Sequence, residues 1–111
     1  ANAAQVLNAD AQVLGGITEW KKVADLAMSS HVLLAPHGDQ EIHAHLVASV
    51  PNGLIAEYYD NNTNALLKDM FPEPIRLNEL GQIMVPQAPG LGVEIEYERI
   101  RPYCTYSSDD K

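Results

Sequence analysis

A run of five apolar residues, "VLLAP" at Val32–Pro36, constrains the fold of this chain more than any other feature. It is continuous rather than alternating, as expected of a parallel strand covered on both faces. It also lies between two segments of helical period. Before it, Ile17, Trp20, Val23, Ala24 and Ala27 recur at helix spacing. That helix is expected to start at a Thr18 N-cap and to end near Ser29–Ser30. After it, "HGD" reads as a loop, and a second helix is expected from about Asp39, with Ile42, Leu46, Val47 and Val50 on one face. Pro51 stops that helix, since proline cannot continue a helix interior. Two further short apolar runs flank the pair. "AAQVLNAD" predicts a strand ending near Asp10, broken by "GGIT", and "GLIAE" predicts one over Gly53–Glu57. Strand, helix, strand, helix, strand with short loops is the pattern of an α/β fold with a parallel sheet and helical crossovers.

The texture changes after Asp60. "NNTNALLKDMFPEP" is polar and proline-marked, with one helical segment expected at Ala65–Met70. "PIRLNELGQIMVP" predicts two short strands about a Gly81 turn, and Val93, Ile95 and Tyr97 alternate as in an edge strand. The chain therefore divides into an α/β part, residues 1–60, and a β-rich tail, residues 61–111.

Charge and cysteine content narrow the partners. The formal net charge is −8, with only 7 Lys plus Arg, and these are scattered. Nucleic acid and anionic membranes need clustered cations, so neither is expected as a partner. No apolar stretch reaches the ~18 residues of a spanning helix. Cys104 is the only cysteine, which excludes an intrachain disulfide. No signal peptide is recognisable, so "NNT" at Asn61 is read as a chance glycosylation sequon and the cytoplasm as the expected compartment.

In parallel α/β folds, ligands bind beyond the carboxyl ends of the strands. Asp10, His37 and Glu57 are each expected at such an end, so three neighbouring strands would bring them to one rim. An imidazole there suits general base catalysis. A carboxylate on its other nitrogen fixes the tautomer and supports the imidazolium, and a buried, protonated Glu57 could hydrogen-bond a substrate oxygen. His31 precedes the same strand and belongs to the opposite end of the sheet. His43 and His45, two apart on a helix, do not share a face, so "HAH" is a poor metal site, with one ring expected to be packed and the other solvated. Glu41 favourably meets the positive end of its helix dipole.

Four motifs in order, "DAQVLGGITEW", "PHGDQEIHAHL", "IAEYYD" and "VPQAPGLGVE", resemble the C-terminal part of the enolase superfamily. They are most similar to its mandelate racemase/muconate lactonizing enzyme-like branch, which includes many acid sugar dehydratases. The match covers most of residues 5–96. The resemblance implies the last three strands of a modified TIM barrel with their helices, and a tail returning to an α+β capping domain. It implies that Asp10 and His37, at the ends of the sixth and seventh strands, form a His–Asp dyad. Glu57, at the end of the eighth, would hydrogen-bond the substrate carboxylate or enolate. In such relatives the catalytic histidine can follow two serines, as His31 does here. His37 fits better, because "QEIHAHL" begins three residues after it.

The same resemblance implies Mg²⁺ held by three carboxylates on earlier strands, which this chain does not contain, together with any lysine base and the specificity loop of the capping domain. The expected partners are thus the remainder of the barrel and cap, a small hydroxy acid substrate and further copies in a homo-oligomer. The expected activity of the whole is Mg-dependent dehydration of an acid sugar, begun by removing the proton α to a carboxylate. The alternatives are a racemase or epimerase of the same superfamily, or a non-catalytic α/β interaction module. This chain alone is expected to be inactive.

Overall fold

The structure is a computed structural model that describes residues 3–105; the outermost residues of the 1–60 and 61–111 divisions lie outside the described residues. β1 (Val6–Leu7) pairs in parallel with β2 (Leu33–Leu34), Val6 opposite Leu33 and Leu7 opposite Leu34. The ladder runs through Leu33 N–H to Gln5 O at 3.0 Å and Ala35 N–H to Leu7 O at 2.9 Å. A third segment joins the far side of β2 by one parallel bridge, Leu34 to Gly53. The strand expected over Gly53–Glu57 is therefore reduced to that bridge. Beyond Leu54, whose N–H reaches Leu34 O at 2.8 Å, β2 offers no further paired backbone, and strand geometry without a ladder is not maintained.

Two helices cover this small parallel core. α1 (Ala11–Leu14) is a single turn where the sequence predicted only a loop. Asp10 caps it, its Oδ1 accepting from the N–H groups of Gln12 (2.7 Å) and Val13 (3.5 Å). Gly15, at φ 93°, closes it in the left-handed region. α2 (Ile17–Ser29) starts after Gly16 rather than at Thr18, which lies inside the first turn. With Gly16 at φ 120°, the chain turns directly from α1 into α2, one residue pair too early for Thr18 to act as cap. Trp20, Ala24 and Ala27 face inward and are buried with Ala11, Leu34, Leu46 and Val50. Trp20 Nε1 donates to Ala9 O at 3.0 Å. Asn52 ties α2 to β2, its Nδ2 donating to Ala24 O and Val32 O, each at 3.1 Å.

α3 (Gln40–Ala48) joins the same core through Leu46, with Val50 just beyond its end. The tail departs from expectation. α4 (Ala65–Met70) spans the predicted residues. The hairpin about Gly81 (φ 73°) is one antiparallel bridge, Leu77 to Ile83. The alternating Val93–Tyr97 stretch forms no strand: α5 (Tyr97–Ile100) begins within it and packs on α4. Its only backbone tie to α4 is Glu96 N–H to Met70 O at 2.9 Å, among the described residues. Alternation predicts a strand only where a partner strand is available, so the tail is not β-rich among the described residues. No helix among the described residues is long and apolar enough to cross a membrane.

Candidate active site

The loops that follow β1, β2 and the Gly53 bridge surround one cleft of about 490 Å³, lined among others by Asp10, Gln12, His37, Gln40, Glu41 and Tyr59. Asp10 sits at its rim with a side chain only 14% exposed. Because Oδ1 is fixed on the α1 N–H groups, Oδ2 is left to face His37, 3.4 Å from Nδ1. That contact is long for a hydrogen bond, and catalytic contacts commonly tighten only when substrate closes the site. Burial pushes the Asp10 carboxyl up, but the Gln12 N–H, His37, the Val13 N–H and His43 together hold it below the usual carboxylate range. The His37 side chain is 57% exposed, which leaves its second ring nitrogen accessible.

The turn after His37 is sharply built. Gly38 (φ 58°) and Asp39 (φ 41°) are both left-handed, an unusual state for an aspartate. Three groups hold it. Glu57 Oε2 accepts from Gly38 N–H at 2.7 Å, Gln12 Nε2 donates to Asp39 Oδ2, and His43 Nδ1 donates to Gly38 O at 2.7 Å. Of the three sequence-selected residues, Asp10 and His37 line the cleft together and Glu57 does not. Asp10 faces the imidazole directly, whereas Glu57 reaches the peptide beyond it and has one oxygen engaged as an acceptor.

His43 is fully buried, with Nε2 accepting from Ala11 N–H at 3.0 Å. Its partners assign it as a neutral Nδ1–H imidazole linking α1 to the His37 turn. It is the packed histidine of "HAH". His45, the other ring, is half-buried rather than solvated and donates from Nε2 to Leu91 O at 3.0 Å. His31 is exposed at the other end of β2, at φ 55°.

Three residues of the site exceed what the sequence revealed. Gln40, buried, makes two bonds to the backbone of Tyr59. Tyr59 stands edge-on to His37, ring centroids 6.3 Å apart. Glu41 is 5% exposed, and its Oε1 has no hydrogen-bond partner. Burial raises its carboxyl above the ordinary range, with its own backbone N–H opposing and the Asp39 charge adding to the rise. A helix-dipole role accounts for its position in the chain but not for that burial. The doubled tyrosine of "IAEYYD" was the available signal for Tyr59.

Among the described residues, no group of three or more His, Cys, Asp or Glu is placed to hold a metal ion. The described residues do not fit a magnesium site.

A family model described as "Enolase C-terminal domain-like" matches residues 1–100. The chain is 33% identical over 91 residues to 3,6-anhydro-alpha-L-galactonate cycloisomerase of Streptomyces coelicolor, covering 82% of this chain and 24% of that protein. Among solved structures it resembles L-talarate dehydratase from Polaromonas sp. JS666, complexed with Mg and L-glucarate. That match has TM-score 0.75 and 36% identity, over 88% of this chain and 26% of that one. It likewise resembles a mandelate racemase/muconate lactonizing enzyme from a marine actinobacterium in complex with magnesium, with TM-score 0.77 and 31% identity, over 88% of this chain and 28% of that one. The chain spans about a quarter of the length of the curated relatives it matches.

Proposed function

Because the chain belongs to the enolase C-terminal domain-like family, we propose that it carries the proton-transfer side of an acid sugar dehydratase's active site. The observation that supports this most is the pairing of Asp10 Oδ2 with His37 Nδ1 at 3.4 Å beside an open cleft. With Nδ1–H turned to Asp10, the Nε2 lone pair is free to act as base. The C–H bond α to the substrate carboxylate breaks and its proton passes to Nε2. Asp10 supports the resulting imidazolium, being held ionised by the bonds that lower its pKa. The β C–O bond then breaks, and the Nε2 proton leaves with that oxygen as water. The remaining enol ketonises, taking one proton from solvent at the β carbon and releasing its O–H proton to solvent. Glu57 anchors the Gly38 peptide beside His37, and its proposed role is to hydrogen-bond the substrate carboxylate or enolate. The cleft residues of this chain include no Lys or Arg, so neutralising the substrate carboxylate falls to groups outside it.

Isomerisation is the second reading, favoured by the similarity to a cycloisomerase. The two separate in heavy water. The full-length protein, given a panel of acid sugars in D₂O, is expected to release water and yield a 2-keto acid with one deuteron at the former β carbon. Deuterium at the α carbon without loss of water would establish racemisation or epimerisation instead. Absence of both exchange and turnover across the panel would favour a non-catalytic module.

A further inference from the structure

Building on the reading of His37 above, we propose that Tyr59 is a positioning residue of this site, its ring holding the His37 imidazole. His37 is more than half exposed and is held through one nitrogen by a 3.4 Å contact. A ring fixed at one point can swing about χ2 unless a second surface stops it. Tyr59 supplies that surface: the two rings meet edge to face, 6.3 Å between centroids and 73° between planes. The same phenol covers the next residue, since a Cβ on Gly38 would lie 3.3 Å from Tyr59 Cε2.

The placement of Tyr59 is built rather than incidental. The segment that carries it has left the sheet after Gly53, so no strand neighbour fixes its backbone. Gln40 does so instead. Its side chain, 2% exposed, donates from Nε2 to Tyr59 O at 3.0 Å and accepts at Oε1 from Tyr59 N–H at 3.3 Å. A buried amide closing two bonds on one residue's backbone fixes where the attached ring stands. Burial, then the charge of Glu57 and its hydrogen bond with the phenol, then Asp39, push the Tyr59 hydroxyl above its usual range.

The test uses the full-length enzyme and two variants. Tyr59→Leu removes ring and hydroxyl, and is expected to lower kcat about 10- to 100-fold, the range that misplacement of a catalytic group produces, with the thermal midpoint unchanged. Tyr59→Phe keeps the ring, and is expected to retain the wild-type kcat. The His37 ring-proton resonance, shifted by the neighbouring aromatic, is expected to move in Tyr59→Leu and to stay in Tyr59→Phe. Wild-type kcat with an unmoved His37 resonance in Tyr59→Leu would overturn the proposal, as would a Tyr59→Phe variant as impaired in kcat as Tyr59→Leu. Turnover surviving in a parallel His37→Asn control would instead overturn the base assignment on which the proposal rests, and that control alone identifies which of the two has failed.

Discussion

Asp10 uses its two oxygens for different purposes: one caps α1, the other faces His37. The same residue thus starts a helix and turns its second oxygen to an imidazole 3.4 Å away. Glu41 presents the opposite case, a buried carboxyl with an oxygen left unpartnered. Its folded pKa is raised above the ordinary 4.5, so the folded state holds its proton more tightly than the unfolded chain. Its contribution to stability is full below about 4.5 and is lost as pH rises through the folded pKa. Asp10, whose pKa is lowered from 3.8, acts in the reverse sense and is lost only as pH falls below that value. Glu41→Gln cannot ionise. Relative to wild type, its thermal midpoint is therefore expected to gain steadily from pH 4 to pH 7; a difference that stays constant with pH would show Glu41 paired and ionised.

At the scale of elements, the legible parts were those whose signals need no distant partner. α4 followed from its local sequence, with Asn64 as cap, and the body of α2 from its buried Trp20, Ala24 and Ala27 stripe. The start of α2 was not, because Gly15 and Gly16 turn the chain in a way that a Thr18 cap reading overlooks. The strands were least legible, since a ladder depends on a neighbour that the sequence does not name. Gly53 shows how tight the one surviving bridge is: an added Cβ would run into the Val47 carbonyl at the end of α3. Gly53→Ala is accordingly expected to destabilise the full-length protein by about 1–3 kcal/mol, the usual cost of overpacking, and to lower turnover by displacing the segment that carries Glu57. Chemical denaturation measures the first effect; a midpoint equal to wild type would mean that the bridge is loose.

The whole molecule is more open than its length warrants. Its radius of gyration is 15.9 Å, against about 13 Å for a compact domain of this size. Large apolar side chains remain in solvent, among them Val13 at 84% and Leu26 at 71% exposed. The outer edge of β1 and the far edge of the Gly53 segment have no strand beside them among the described residues, and natural sheets seldom leave such edges uncovered. A domain keeps only ~5–15 kcal/mol of net stability, which this much uncovered apolar surface readily offsets. Expressed alone, residues 1–111 are expected to aggregate or to lack a cooperative melt. A monodisperse monomer by size exclusion with a sharp calorimetric transition would contradict this.

The proposed function turns on His37, backed by Asp10, as the proton-transfer group, and the most direct measurement is kcat for two histidine variants of the full-length protein on whichever acid sugar of the panel it turns over. His37 follows β2 and opens on the cleft, whereas His31 precedes β2 and lies at its other end. His37→Asn is expected to lose turnover, with Asp10→Asn falling by as much as ~10⁴-fold if the dyad follows the serine-protease precedent. His31→Asn is expected to keep most of it, and circular dichroism to be unchanged throughout. An active His37→Asn beside an inactive His31→Asn would contradict the account.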